Sequence, residues 1–303
     1  MAHEIIIIGC GDVGTRLARR WRAAGVEVAA LFRSELRSGD RQQQLQSQGI
    51  AILHADLDQP ETLAPLRAPR LHGRVLYYLA PPPGEGDRDS RIEHFLACLD
   101  EDNCPQQLIY MGTSGVYGDS EGGWVDEDSP TQPQTGRAIR RLAAETALRQ
   151  ASQGLGFSLT LLRVGGIYGP GRLPEARLRQ GLPVLHETEC GYSNRIHVDD
   201  LLGICIAAAE HTQPGQRVFN VSDGRPGNMT EYFLAVAQAL GLPPPPQLGL
   251  AEARQQLSPA MLSYLGESRR MDSRKVLREL AYQLRYPDLA SGLHDIEPGK
   301  SSD

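Results

Sequence analysis

Several features that would assign this chain to a membrane-bound, secreted or metal-binding class are missing from its sequence. No apolar run is long enough to span a bilayer, and the isoleucines at 5–8 are too few for a signal-peptide core. We therefore expect a cytoplasmic location and no membrane partner. The five cysteines are odd in number and include no C-x-x-C pair, which argues against both a zinc site and a disulfide framework.

The chain also lacks an excess of positive charge. Its 31 basic and 37 acidic side chains give a formal net charge of −6. Nucleic acids are bound through clustered Lys and Arg, so a nucleic-acid partner is not expected. The composition, 40% hydrophobic and 22% charged over 303 residues, is that of a folded protein with room for a large domain and a smaller one.

Short apolar runs alternate with helical patterns along the chain. Residues 5–8 are predicted to form a strand buried on both faces, 15–24 a helix that Gly25 ends, and 26–32 a second strand. Further strands are predicted over 50–53, 75–79, 107–111, 158–163 and 218–221. Further helices are predicted over 91–99, 137–150, 199–210 and 230–240. This alternation predicts an α/β Rossmann fold with a doubly wound parallel sheet.

A G-x-G-x-x-G pattern lies between the first predicted strand and the first predicted helix. Its members are Gly9, Gly11 and Gly14, with Asp12 and Val13 between the last two glycines. In this context the first glycine permits a tight turn, the second lets the backbone approach a pyrophosphate, and the third lets helix and strand pack closely. Free amides and the helix dipole favour the anion. The pattern predicts a dinucleotide cofactor; a glycine turn without a ligand is the alternative.

The second predicted strand carries no carboxylate at its end. NAD sites usually have Asp or Glu there to bind the ribose 2′-hydroxyl, whereas this strand is followed by Arg33 and Ser34. These two side chains are expected to bind the 2′-phosphate of NADP. A solvated Arg33 is the alternative, and Glu35 keeps NAD open as the cofactor.

Five further motifs follow the glycine pattern in a fixed order. They are ADL at 55–57, YMGTSGVYG at 110–118, LRVGGIYGPG at 162–171, RIHVDD at 195–200 and FNVSDG at 219–224. Together with Tyr286 and Pro287 near the end, they make the chain resemble the extended short-chain dehydrogenase/reductases, of the NAD-dependent epimerase/dehydratase type. The resemblance covers nearly the whole chain.

The resemblance implies two domains. Residues 1–166 and about 197–222 would form the cofactor-binding Rossmann domain. Residues from about 167–196 and 223–290 would form a smaller substrate domain, followed by a polar tail over 291–303. The helices predicted over 91–99 and 137–150 occupy places where members often dimerise, which implies a homodimer.

The resemblance also implies site residues. Asp56 and Leu57 would lie against the adenine, and Ala80 and Pro81 would line the cofactor. Thr113 matches the family's catalytic Ser or Thr, whose hydroxyl would hydrogen-bond a substrate carbonyl or alcohol. The alternative for Thr113 is a hydroxyl that only caps the strand end.

The Val-Asp-Asp motif is given a structural role. Asp199 and Asp200 are expected to satisfy free amides at the start of a helix, and His197 beside them is expected to be structural.

The family pattern breaks at its proton-transfer pair, Tyr-x-x-x-Lys. Alignment on Glu145 places Arg137 at the tyrosine position and Arg141 at the lysine position, and alignment on Thr135 places Ile139 at the lysine position. An arginine stays protonated near neutral pH and is a poor general base. We therefore expect Arg141 to hold a ribose or phosphate, and Arg137 or Arg141 to bind an anionic substrate group.

Two functions remain open. One is an NAD(P)-dependent oxidoreductase or epimerase acting on a small carbonyl or sugar-like substrate, with Tyr117, Tyr168 or Tyr192 replacing the missing phenol. Gly166 stands where nucleotide-sugar members often have Asn, which argues against a nucleotide sugar. The other function is a non-catalytic NADP(H)-binding redox sensor or scaffold, which the missing Tyr and Lys support. The retained Thr113 favours the enzyme.

Overall fold

The computed structural model describes residues 4–33, 39–67, 69–256 and 267–294. The chain divides into two compact units. The first unit comprises Met1–Val116, Gly136–Arg163 and Cys205–Phe219, and the second comprises Tyr117–Thr135, Val164–Ile204 and Asn220–Asp303.

A seven-stranded sheet forms the centre of the first unit. The strands of the protein, numbered in chain order, are β1 Glu4–Ile8, β2 Glu27–Phe32, β3 Ala51–His54, β4 Val75–Tyr78, β5 Gln107–Met111, β6 Trp124–Val125, β7 Ser158–Val164, β8 Gly166–Tyr168, β9 Val184–Leu185, β10 Tyr192–Ser193, β11 Arg195–His197, β12 Gln216–Val221, β13 Gly227–Asn228, β14 Gln247–Leu248 and β15 Arg270–Met271. The central sheet has the order β12-β7-β5-β4-β1-β2-β3, and its pairings from β7 to β3 are parallel. The predicted Rossmann-type α/β fold is confirmed.

Helices flank and connect these strands. In the described ranges they are α1 Asp12–Ala23, α2 Gly39–Ser47, α3 Ser90–Leu96, α4 Gly136–Leu155, α5 Glu175–Arg179, α6 Val198–Glu210, α7 Met229–Ala239, α8 Leu250–Gln256, α9 Arg274–Glu279 and α10 Leu289–His294. Short 3-10 helices cover Pro60–Thr62, Ala64–Leu66, Glu101–Asn103, Ser114–Tyr117 and Glu187–Glu189. Within these described segments, no helix combines the length and apolarity needed to cross a membrane.

Several helix boundaries differ from the sequence-based ones. The helix predicted to begin at residue 15 begins at Asp12, so Gly14, a poor helix former, lies within its first turn. The helix predicted over 230–240 begins at Met229, where Asn228 and Glu231 form a reciprocal capping box. The Asn-x-x-Glu spacing was a readable signal for that start.

The core of the first unit rests on β1, whose four isoleucines are fully buried. Burial on both faces is what a continuous β-branched run predicts for a central parallel strand. One hydrophobic cluster joins alternate residues of this strand, Ile6 and Ile8, to Leu57, Ala80 and Leu148 of later segments. The cluster thus connects the strand before the glycine pattern to the segments that follow β3 and β4.

A buried ion pair fixes α4 against the sheet. Glu145 is fully buried, and its two oxygens accept hydrogen bonds from Arg163 of β7, with Nε at 3.2 Å and Nη2 at 2.9 Å. Arg149, one turn along the helix, adds a contact at 3.2 Å. Two parallel hydrogen bonds between the planar guanidinium and carboxylate groups fix the orientation of α4 relative to β7 and also hold the two elements together.

Short two-stranded pairings and a separate apolar cluster organise the second unit. The pairs are β10 with β13, β11 with β8, β14 with β9 and β15 with β6. The cluster contains Tyr168, Leu178, Val184, Tyr232, Phe233, Val236, Ala237 and Leu293.

In the Val-Asp-Asp motif, the hydrogen bonds of Asp200 differ from the predicted helix cap. Asp200 is fully buried and accepts hydrogen bonds from the Tyr282 hydroxyl at 3.0 Å and from two backbone amides near the C-terminus. The Asp199 amide donates to His197 Nδ1 at 3.2 Å. A ring nitrogen of His197 therefore accepts one amide at the start of α6, and the cap expected from the Asp199 carboxylate stays a prediction.

Replacing the buried carboxylate should destabilise the fold. We expect Glu145→Gln to lower the free energy of unfolding by about 3–5 kcal/mol, because it leaves the Arg163 charge buried with a neutral partner. The measurement is urea denaturation. Glu93→Gln is the control, since Glu93 pairs with Arg88 on the surface and its loss should cost less than about 1 kcal/mol. Equal losses in the two variants would contradict the assigned role.

Candidate cofactor and active site

The three glycines of the pattern are required for different reasons. Gly9 has a φ of +89°, and a Cβ there would lie 2.4 Å from the amide nitrogen of Ala80. A Cβ at Gly14 would lie 3.0 Å from the Gly9 carbonyl oxygen. A Cβ at Gly11 would meet no atom within 4 Å. Packing therefore explains the first and third glycines, whereas the second faces open space that a ligand would fill.

The open side of Gly11 adjoins the start of α1. Gly11 precedes the first residue of the helix, and its position supplies no side-chain cap to the helix amides. The Asp12 carboxylate is paired with Arg16 at 2.9 Å, and Val13 is buried. An uncapped helix start beside a backbone without side chains fits a pyrophosphate, so the residues present fit a dinucleotide.

Arg33 lies at the end of β2 but is engaged with acidic side chains. Its Nη2 donates to Asp58 Oδ2 at 2.6 Å, and its Nε lies 3.3 Å from Asp56 Oδ1. Ser34, the other predicted phosphate ligand, and Glu35 lie outside the described residues. The guanidinium expected to bind a 2′-phosphate is therefore already paired.

The residues expected beside the adenine differ in exposure. Asp56 is half-buried, and its amide donates to Thr62 Oγ1 at 2.8 Å. Leu57 and Ala80 are buried members of the main apolar cluster. Pro81 is exposed, and its carbonyl accepts a hydrogen bond from Arg91 Nη1 at 2.9 Å. Only Asp56 and Pro81 of this set therefore present substantial surface.

Arg141 lies where two central strands end. Its Nη1 donates to the Met111 carbonyl at 2.9 Å, contacts the Tyr110 hydroxyl at 3.3 Å, and reaches the Ala80 carbonyl at 3.5 Å. Tyr110 and Met111 are the last two residues of β5, and Ala80 lies two residues after the end of β4. The structure therefore brings the residue at the family's lysine position to the sheet edge where open α/β folds bind ligands. Arg137, one helical turn earlier, is exposed.

Thr113 follows β5 by two residues and is half-buried. Its Oγ1 accepts the Gly115 amide at 3.2 Å. The oxygen thus caps an amide of the 3-10 helix that follows β5, and the hydroxyl keeps its own hydrogen to donate. Both roles are compatible in one side chain.

The substitute tyrosines differ in availability. The Tyr117 hydroxyl donates to Asn220 Oδ1 at 2.7 Å, and the Tyr168 hydroxyl donates to the Asp288 carbonyl at 3.1 Å. Both side chains are buried, and burial raises the pKa of Tyr168. Tyr192 is 44% exposed. In the first unit, burial raises the pKa of Tyr110 to about 12 despite the nearby Arg141. Burial therefore makes Tyr168 and Tyr110 poor proton donors near neutral pH.

The second unit contains a cavity of about 640 Å³. Its lining includes Trp124, Asp223, Arg225, Met271 and Leu277. Asp223 is 8% exposed, and its Oδ1 accepts the Arg225 amide at 2.9 Å. Burial raises the pKa of this carboxyl to about 7. The FNVSDG motif therefore contributes a carboxyl that titrates near neutral pH to the wall of a cavity.

Sequence reasoning missed three residues around the candidate site. Asp58 and Arg91 form an ion pair at 2.7 Å that also involves Arg33. Arg140 is buried and donates to the carbonyls of Gly86 and Gly84, at 2.5 Å and 3.0 Å. Asp58 could have been identified from the sequence, because it lies one residue beyond the ADL motif. The other two required the folded chain.

No cluster suited to a metal ion occurs in the part of the chain that the structure describes: no three His, Cys, Asp or Glu side chains converge there.

A model of the NAD-dependent epimerase/dehydratase family matches residues 5–222. The chain belongs to this family. The match includes the glycine pattern and extends to the FNVSDG motif, so it contains every candidate site residue named above from Gly9 to Arg141.

Two curated relatives match parts of the chain. Protein YeeZ of Escherichia coli strain K12 is 28% identical over 184 residues, which are 60% of this chain and 59% of YeeZ. A 3-diazoavenalumate denitrifying reductase of a Streptomyces species is 28% identical over 180 residues, covering 56% of this chain and 58% of the reductase. The chain thus spans about three fifths of the length of these relatives.

A solved structure is similar over nearly the whole chain. The protein comes from Silicibacter pomeroyi DSS and is described as a conserved protein of unknown function. It superposes with a TM-score of 0.77 at 26% identity, covering 96% of each chain. The similarity supports the fold across both units, and it adds no activity.

The open space at Gly11 leads to a prediction about cofactor binding. We expect Gly11→Ala to leave thermal unfolding nearly unchanged, because the added methyl meets no protein atom. The same methyl should weaken NADH and NADPH binding by about tenfold or more, because it occupies the space through which the cofactor diphosphate approaches the backbone. Isothermal titration measures the affinity. Gly154→Ala, where the methyl also meets nothing, is the control. Unchanged affinity in Gly11→Ala would contradict the site.

The raised pKa of Asp223 predicts a pH dependence of stability. Burial raises the pKa of this carboxyl to about 7 in the folded protein, whereas an ordinary aspartate has a pKa of 3.8, so the stability contributed by the protonated group is lost as pH rises between these values. We expect the free energy of unfolding to fall with pH more steeply than in Asp223→Asn, by up to about 1.4 kcal/mol per pH unit. Denaturant titrations across this range measure it. Parallel curves would refute the shift, and Asp102→Asn, an exposed carboxylate, is the control.

Proposed function

We propose that this protein is an NAD(P)-dependent reductase of small carbonyl compounds that works without the Tyr-x-x-x-Lys pair. The observation that carries the proposal is the position of the Arg141 guanidinium, bonded to the Met111 carbonyl and close to that of Ala80. Ligands of open α/β sheets bind at the carboxyl ends of the strands, and Thr113 follows the same strand end. A fixed positive charge and a hydroxyl are thus found in the part of the site where the reaction would occur.

Each residue has a defined task in this proposal. The backbone at Gly11 and the start of α1 hold the diphosphate of the cofactor. Arg141 replaces the lysine as the cation near the ribose. Thr113, whose oxygen already accepts the Gly115 amide, donates its hydrogen to the substrate oxygen. The dinucleotide supplies the hydride when it is bound.

The proton required for reduction cannot come from the two arginines. A guanidinium group is a poor acid–base catalyst near neutral pH, so neither arginine is assigned that role. Tyr117 and Tyr168 are buried and donate to protein acceptors. We assign delivery of the proton to solvent, through the Thr113 hydroxyl.

Reduction is favoured over epimerisation by three considerations. The Streptomyces relative is named as a reductase, and that name supports reductive chemistry in this chain. Gly166 stands where nucleotide-sugar members often have Asn. A simple reductase also needs only one hydride transfer in one direction, whereas an epimerase must return the hydride to the same substrate.

The choice between NADP and NAD depends on Arg33. The NADP preference expected from the sequence requires this guanidinium to bind a 2′-phosphate. The contacts of Arg33 with Asp58 and Asp56 compete with that role. The two-domain bounds, the homodimer, the small-molecule substrate and the cytoplasmic location also stay predictions.

A non-catalytic NADP(H)-binding sensor or scaffold is the second candidate. The burial of the Tyr117 and Tyr168 hydroxyls, each donating to a protein acceptor, favours it because no phenol replaces the missing one there. The full-length protein should be mixed with NADH or NADPH and a panel of aldehydes, ketones and sugar derivatives. Oxidation of the reduced cofactor supports the reductase. Tight binding without turnover across the panel would support the sensor instead.

Thr113 provides the sharpest test of the catalytic proposal. We expect Thr113→Val to lower kcat by about 100-fold or more, because it keeps the shape of the side chain and removes the hydrogen-bond donor. Thr113→Ser retains the hydroxyl and should keep kcat within about tenfold of the wild type. Steady-state kinetics on the best substrate of the panel measure both. Similar kcat values in the Val and Ser variants would exclude a catalytic hydroxyl.

A further inference from the structure

The Asp58 carboxylate lies between two guanidinium groups. Arg91 donates to it twice, from Nε to Oδ1 at 2.7 Å and from Nη2 to Oδ2 at 2.8 Å. Arg33 donates to the same Oδ2 at 2.6 Å. The paired bonds from Arg91 fix the plane of the carboxylate, and the remaining contact aims one of its oxygens at Arg33.

Arg91 is itself anchored. Its Nη1 donates to the Pro81 carbonyl at 2.9 Å, and its side chain is only 15% exposed. The hydrogen bonds from Arg91 also lower the pKa of Asp58, so the carboxylate is ionised at neutral pH. Asp58 is therefore a charged group held from behind by a rigid partner, and it does not swing away freely from Arg33.

Within the described residues, the ion pairs that join Arg33 to its neighbours balance in charge. Its guanidinium, 45% exposed, contacts both Asp58 and Asp56. With Arg91, the four side chains carry two positive and two negative charges. A 2′-phosphate dianion that reaches Arg33 must displace Asp58 and then lie beside two carboxylates. A ribose 2′-hydroxyl carries no charge and can donate a hydrogen bond to a carboxylate.

We infer that Asp58 is a specificity-determining residue that selects NAD over NADP by occupying the guanidinium of Arg33. The inference rests on the proposed dinucleotide binding, and it reverses the preference that Arg33 alone suggested. Asp58 would produce the same preference as the acidic residue at the strand end of NAD sites, but by engaging Arg33 and not by binding the ribose.

The test is a titration of NADH and NADPH into the full-length protein and its variants. We expect the wild type to bind NADH at least about tenfold more tightly than NADPH, since the balanced cluster offers no net attraction to the phosphate. Asp58→Asn keeps the size of the side chain and removes its charge. It should tighten NADPH binding by about tenfold while changing NADH binding by less than about threefold.

Two further variants complete the design. Asp58→Asn combined with Arg33→Ala should lose the gain for NADPH, because the released guanidinium is the group that binds the phosphate. Asp102→Asn removes an exposed carboxylate of the same unit and should leave both affinities unchanged. Thermal unfolding verifies that each variant is folded.

The outcomes separate this inference from the proposed function. A wild type that prefers NADPH, or an Asp58→Asn variant with an unchanged ratio of affinities, overturns the role of Asp58 and leaves the reductase proposal standing. Should the Asn variant fail to fold, Arg33→Ala alone should change the ratio of NADH to NADPH affinity by less than about threefold, because Asp58 already occupies the guanidinium, and a larger loss of NADPH binding overturns the role of Asp58. A wild type that binds neither dinucleotide overturns both proposals.

Discussion

The buried ion pair between Glu145 and Arg163 is the constraint on which the candidate site depends. Neither charge is tolerated in the interior without the other, so α4 and β7 can pack in only one register. That register determines which groups the side chains of the preceding helical turn contact. Arg141 meets the carbonyl groups at the ends of two strands, and Arg140 meets the loop after β4. A shift of one residue along the helix would remove all of these contacts.

This arrangement explains how the site differs from the usual pattern of its family. In members with Tyr-x-x-x-Lys the helix brings both a proton donor and a cation to the cofactor. Here the cation is present as Arg141, held by backbone oxygens, while the position of the phenol carries the exposed Arg137. In the proposed mechanism, binding and proton transfer, which one helix turn normally combines, are therefore separated, and the hydroxyl of Thr113 is assigned to proton transfer.

The cofactor side of the first unit depends on close backbone approach and on charge balance. Gly9 and Gly14 allow the β1–α1 turn to pack against the end of β4, and Gly11 leaves the outer surface of that turn free for a ligand. At the end of β2, Arg33 is paired with Asp58 and Asp56. The first feature supports the proposed binding of a dinucleotide, whereas the second carries the proposed preference for NAD over NADP.

The sequence by itself determined the fold class and the position of the glycine turn. A β-branched run at 5–8 followed by three spaced glycines has few other structural solutions, because both the hydrophobic period and the backbone freedom are local properties. The loss of the Tyr-Lys pair is also visible in the order of residues around Glu145. Helix ends were less predictable: α1 begins after Gly11, which supplies no side-chain cap, whereas α7 begins after Asn228, which forms a capping box with Glu231.

Only the tertiary structure decided what the charged side chains do. The sequence does not distinguish an arginine that is solvated from one that is paired with a carboxylate or bonded to carbonyl groups. The reason is that the long side chain reaches partners far along the chain. Arg33 meets Asp58, and Arg141 meets Met111, over 25 and 30 residues of sequence. The sequence thus placed a dinucleotide turn at residues 9–14, while folding determined which charges remain to recognise the cofactor.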